Sequence, residues 1–192
     1  MSFQPQIAQL GKVLQDFGVP VICLTATLKP VQEMEFFQLM RFMPQRVIMF
    51  RELTTRKNIE YRVDGEEEGK EDHNIMKRVS QIVREWTAQH QEGKVIIYGR
   101  TIKRMQGIAK ALAYPANREA KAQIVEKWIS SRGGKSGWIA ATNALGLGVN
   151  DLNVRLVVHG GMPRQLVNFV QESGRGGRNR QKSESVVVIR RS

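Results

Sequence analysis

Two guanidinium groups set three residues apart among glycines are the part of this 192-residue chain best suited to chemistry. In Gln171-Glu172-Ser173-Gly174-Arg175-Gly176-Gly177-Arg178 the glycines let the backbone turn tightly while Arg175 and Arg178 project. Two planar cations that close suit a polyphosphate. A basic loop gripping nucleic-acid phosphates has the same composition, and that alternative stands. A second polar cluster, Thr142-Asn143-Ala144-Leu145-Gly146-Leu147-Gly148-Val149-Asn150, follows a short apolar run. It reads as a loop at the C-terminal edge of a buried strand, or as a plain strand-ending turn.

The elements that must carry these groups follow from periodicity. Trp138–Ala141, Arg155–His159 and Ser185–Ile189 read as buried parallel strands, and a helix beginning near Arg164 runs out at Gly174. Upstream, Lys94–Tyr98 is a strand, and Gly99-Arg100-Thr101 opens a helix reaching about Leu112. Ile75, Val79, Ile82, Val83 and Trp86 mark an amphipathic helix, and Arg118–Ser131 another. Nearer the N-terminus, Ile7, Leu10, Val13, Leu14 and Phe17 recur at helical spacing until Gly18 and Pro20. Val19–Leu24 reads as a buried strand ending in Thr25-Ala26-Thr27, Val31–Met43 as a helix and Val47–Phe50 as a short strand. The alternation predicts a three-layer α/β domain with a mostly parallel sheet.

Composition narrows the partners. Thirty Lys and Arg against eighteen Asp and Glu give a net charge of +12, which favours acidic partners, nucleic acid first. Cys23 is the only cysteine, so neither a disulfide framework nor a cysteine zinc cluster is expected. His73, His90 and His159 are scattered and read as structural or surface residues; no metal site is expected. Met1–Leu10 does not read as a secretory signal, and no apolar run approaches the roughly 20 residues a bilayer requires. The acidic stretch Asp64–Asp72 reads as a solvated loop. Gly133-Gly134-Lys135-Ser136 imitates the end of a phosphate loop, yet it links a helix to a strand, the reverse of what a phosphate loop needs, and reads as a basic turn.

The polar cluster from Thr142 resembles motif V, and Gln171–Arg178 motif VI, of superfamily 2 helicases, most nearly the fungal members of the RecQ group. Thr25-Ala26-Thr27 resembles motif III, Gly99-Arg100-Thr101 belongs to a stretch like motif IV, and Arg56–Val63, opening on Arg56-Lys57-Asn58, resembles the strand that begins the second motor domain. The resemblance, spanning about Val19 to Ile189, implies a RecA-like, P-loop-NTPase-type three-layer sandwich. Residues 1–50 would be a remnant of the first RecA-like domain and residues 51–192 the second. It implies ATP with Mg2+ as cofactors, DNA as partner (single-stranded or at an unwinding junction), 3′-to-5′ polarity and a nuclear location. By the same resemblance Arg175 and Arg178 would be arginine fingers steadied by Gln171, and Asn150, Gly148 and Gly174 would meet the nucleotide. Arg100, Thr101, Thr142 and Asn143 would meet nucleic acid, and Thr25 and Thr27 would couple nucleotide state to closure. Taken alone, Thr25 and Thr27 also read as a strand end with capping hydroxyls.

Three departures matter. Ala113-Tyr114-Pro115-Ala116-Asn117 runs almost directly into the next helix, where the group carries a further strand; its loss would leave an unpaired sheet edge. Asn150 and Asn179 stand where aspartate is usual. No Walker A loop and no Asp-Glu-Ala-His-type box occurs, so the chain is expected to be inactive alone and to need a first RecA-like domain in cis or in trans. The alternative is a non-catalytic basic nucleic-acid module or a degenerate helicase remnant.

Overall fold

The computed structural model describes residues 5–15, 18–25, 28–51, 56–66, 71–112, 121–141 and 150–190. The chain divides into two compact units, Met1–Thr54 and Thr55–Ser192.

In the first unit, α1 (Pro5–Gln15) packs on α2 (Glu33–Met40). Gly11 permits the close crossing, since a Cβ there would lie 2.4 Å from the Leu39 carbonyl oxygen. A 3-10 turn at Pro30–Gln32 precedes α2, and Arg41, in the left-handed region at φ 55°, ends it. The helix is therefore shorter than the predicted Val31–Met43. Neither Val19–Leu24 nor Val47–Phe50 forms a strand. Ile22 and Leu24 are 85% and 92% exposed rather than buried. Apolar β-branched composition makes a segment ready for a sheet, but a strand exists only when a neighbour takes its hydrogen bonds. Among the described residues every sheet strand belongs to the second unit.

That unit runs β1 (Ile59–Glu66), α3 (Glu71–Gln89), β2 (Gly93–Gly99), α4 (Ile102–Ala111), α5 (Lys121–Ser130), β3 (Gly133–Ala141), β4 (Val154–Gly160), α6 (Leu166–Ser173) and β5 (Ser183–Arg190). The strands form one sheet in the order β1-β5-β4-β2-β3, with every pair parallel. Val95, Ile97, Leu156, Val158 and Val186 point to one face and pack under Val79, Val83 and Ile108 of α3 and α4. Ile96, Tyr98, Ile139 and Val157 line the other face beneath Trp128 of α5. His159 and Ser185 meet α6 through Phe169 and Ser173. The result is a helix–sheet–helix sandwich, as the alternation of elements predicts.

Two local readings need correction. Asp64 and Gly65 continue β1, and the Asp64 carboxylate is held by Arg78 of α3 (Nη2 to Oδ2 2.8 Å, Nε to Oδ1 3.2 Å), so this end of the acidic stretch is a strand end and not an open loop. The strand's reach past Val63 comes from its pairing with β5, which extends to Glu66 opposite Arg190. Gly133 and Gly134, at φ 109° and 65°, begin β3 itself beside a register shift in β2, where the reading from residues expects a turn. Residues 67–70 and the link 113–120, where a missing strand is expected from the sequence, lie outside the described residues.

Candidate functional site

The loop after α6 is built by backbone hydrogen bonds in close succession. Gly174 N donates to Val170 O (2.9 Å), Arg175 N to Glu172 O (3.2 Å) and Gly176 N to Ser173 O (3.0 Å). Gly177 N reaches across to Val154 O (2.9 Å), and Arg180 N closes back on Gly177 O (3.0 Å). Gly177 and Arg180 take left-handed φ values of 56° and 66°. The helix thus unwinds through two tight turns, one presenting Arg175 and the next Arg178.

These side chains converge. Arg178 Nη1 donates to Asn150 Oδ1, joining two residues singled out separately from the sequence. Burial, followed by the charges of Arg175 and Arg56, lowers the Arg178 pKa from its usual value. Three guanidinium groups therefore share one field. Arg175 is half-buried and sits close enough to the Tyr98 phenol to oppose its shift; burial nevertheless pushes that hydroxyl up to about 12. Gly174 is the half-buried cap residue of α6, and Gln171 is exposed in its last turn.

Beneath the loop runs a polar chain that the sequence did not reveal. Ser185 Oγ lies 2.7 Å from Ser173 Oγ, which is 3.3 Å from His159 Nε2, while His159 Nδ1 is 3.2 Å from Glu172 Oε2. The connectivity imitates a serine–histidine–carboxylate triad, but Ser173 is fully buried, so no substrate reaches it. Its effect is to bolt the last turn of α6 to β4 and β5. His90, by contrast, stacks on Trp86 at 4.2 Å between centroids, and His73 is exposed.

A separate polar site lies at the C-terminal ends of β2 and β4, where the chain order reverses: β2 leads on to β3 and β4 to β5, on opposite sides. Such a switch point opens a crevice in a parallel sheet. Here it is a cleft of about 250 Å³ lined by Tyr98, Arg100, His159, Gly161, Arg164 and Glu172, among others. Thr101 caps α4, its Oγ1 accepting from Arg104 N at 3.2 Å, and Arg100 is exposed beside it. A helix N-terminus with no acidic residue in its first turn, beside an exposed arginine, favours phosphate.

Of the other predicted residues, Thr25 is exposed in the first unit. Thr27, Thr142, Asn143 and Gly148 lie outside the described residues. Among the described residues no group of three or more His, Cys, Asp or Glu gathers to hold a metal. No helix among them is long and apolar enough to cross a membrane.

Residues 74–180 match the family described as helicase conserved C-terminal domain. The chain belongs to that family. Its relatives place it in the RecQ-like branch. It is 30% identical over 202 residues to a putative ATP-dependent DNA helicase Q1 of Caenorhabditis elegans, covering 98% of this chain and 30% of that one. It is also 30% identical over 204 residues to the RecQ-like DNA helicase BLM of Xenopus laevis, covering 97% of this chain and 14% of the other. The RecQ-like chain thus spans a third or less of the length of these relatives. Among solved structures, Saccharomyces cerevisiae Dbp5 bound to RNA and ADP BeF3 superposes over 100% of this chain and 51% of its own, with a TM-score of 0.71 and 14% identity. That likeness establishes the RecA-like helicase fold.

Proposed function

We propose that this RecQ-like domain is the second motor lobe of an ATP-dependent 3′-to-5′ DNA helicase acting in unwinding, recombination or repair in the nucleus. The observation that carries the reading is the convergence of Arg175, Arg178 and Arg56 on one loop, with Asn150 accepting from Arg178. Like charges gathered in this way repel until a polyanion arrives, which fits the triphosphate of ATP. ATP, with Mg2+ held by a complete first domain, would supply the phosphoryl-transfer chemistry. Arg175 and Arg178 then stabilise negative charge building on phosphoryl oxygens, and Gln171 orients them. Asn150, Gly148 and Gly174 border the nucleotide. Arg100, Thr101, Thr142 and Asn143 hold the backbone of a DNA strand or junction, and Thr25 and Thr27 carry nucleotide state between domains. Residues 1–50 are a remnant of the first RecA-like domain and residues 51–192 the second. No ATP is hydrolysed by this chain alone, because the groups that activate water and hold the metal belong to the first.

A second reading, a non-catalytic basic nucleic-acid module or a degenerate remnant, is favoured by one contact. Asn150 offers Arg178 a neutral amide oxygen, so the pair lacks the anion that an aspartate would bring.

Fluorescent single-stranded DNA titrated with the purified, folded chain across a salt series, with and without ATP, tests both readings. Contact with about three phosphates weakens binding about tenfold or more between 50 and 200 mM salt, whatever the ATP concentration. Absence of binding at low salt would remove the nucleic-acid role. ATP turnover by the chain alone would overturn its dependence on a first domain.

A further inference from the structure

We infer that Arg56 and Asn58 form a clasp that fixes the arginine-bearing loop, which makes them positioning residues for Arg175 and Arg178. The purpose of the clasp rests on the phosphate reading above; its contacts do not. Arg56 Nη1 donates to the Gly174 carbonyl at 2.9 Å, and Nη2 donates to the Gly177 carbonyl. One guanidinium thus spans the turn that presents Arg175. Asn58 Nδ2 donates to the carbonyls of Gly177 and Gln181, each at 2.8 Å, and so spans the turn that presents Arg178. With the Arg180 N–H, the Gly177 carbonyl receives three donors. Each planar group reaches two carbonyls at once, which the single ammonium of a lysine does not reproduce.

The glycine at 177 fits the clasp independently. Its φ of 56° already disfavours a side chain, and a Cβ there would lie 2.4 Å from Asn58 Nδ2 and 2.5 Å from the Gln181 carbonyl oxygen. Backbone and clasp meet too closely for any residue but glycine. The sheet explains how partners 118 to 123 residues apart come together. β1 pairs with β5 from Ile59 opposite Ser183, and Ser183 N donates to Asn58 O at 2.9 Å, so the residues entering one strand lie against those entering the other.

Electrostatics gives the clasp its use. A loop carrying Arg175 and Arg178 side by side relaxes outward unless it is held, and Arg56 holds it with neutral carbonyls as acceptors. Its own charge therefore stays available to attract a polyanion.

Asn58→Ala and Arg56→Lys, each made in the 192-residue chain, test the clasp with two readouts. The first is hydrogen exchange at the Gly177 and Arg180 amides. The second is binding of inorganic pyrophosphate, followed through the NMR signals of the Arg175 and Arg178 Nε–H groups. Each variant should speed exchange at Gly177 and Arg180 about tenfold while Val157 and Val186 in the sheet stay unchanged. Pyrophosphate binding should weaken about fivefold or more, and the lysine, though charged, should not rescue it. Unchanged exchange in the loop, an equal rise in loop and sheet, or full rescue by lysine would overturn the clasp. If pyrophosphate leaves both arginine signals unmoved in the parent chain, the phosphate reading fails, and exchange alone judges the clasp.

Discussion

Arg178 stands between a neutral amide and two like charges, and that placement sets what its loss should cost. Linked to a complete first domain, a chain carrying Arg178→Ala should hydrolyse ATP about 10³-fold more slowly, with binding of single-stranded DNA unchanged. A kcat within tenfold of the parent would assign Arg178 to nucleic-acid phosphates instead. Tyr98 offers a second test. Its folded pKa of about 12 exceeds the ordinary value near 10, so its contribution to stability is complete below pH 10 and is lost as pH rises toward 12. The free energy of unfolding should fall by up to about 2 kcal/mol across that window, and Tyr98→Phe should flatten the slope. Denaturant titrations at pH 9.5 and 11.5 check this. The paired arginines and their glycines were legible because their chemistry lies within eight consecutive residues. Arg56, Asn58, Tyr98 and His159 were not legible as parts of the same site. Each acts there through a partner brought in by the sheet, which no local pattern encodes.

At the scale of elements, the buried strands and α3 announced themselves, because a parallel sheet covered on both faces needs unbroken apolar runs and its covering helices need an apolar stripe. Val19–Leu24 and Val47–Phe50 carry the same signal without the outcome, since composition records readiness to pair and not the presence of a neighbour. Asp64 misled for a related reason: the acidic run following it suggests solvent, whereas its partner Arg78 lies about two helix turns into α3. The start of β2 is held by a buried ion pair. Lys94, only 3% exposed, donates to Asp151 and to the Ile129 carbonyl at 2.6 Å, with its ammonium 5.2 Å from the Trp128 ring centre. Lys94→Met should destabilise the fold by about 3 kcal/mol because it strands a buried carboxylate, and adding Asp151→Asn should recover part of the loss. Denaturant midpoints of both variants measure it; a single variant as stable as the parent would show that Asp151 finds water.

For the whole molecule, the sheet and both candidate sites lie in one compact unit. Residues 55–192 alone should keep the far-ultraviolet helix signal of α3 to α6 and melt within about 4 °C of the parent. Loss of cooperative melting in that shorter chain would mean that the first unit is needed to complete the fold. The +12 charge, read from composition, says which partners are favoured; only the folded arrangement says where their phosphates can be met. The pairing of β1 with β5 also decides where a gene can be cut. The family match begins at residue 74, and a coding piece starting there would still specify both loop arginines. It would leave out β1 and the two side chains entering it, so a useful recombinant domain has to start upstream of codon 56.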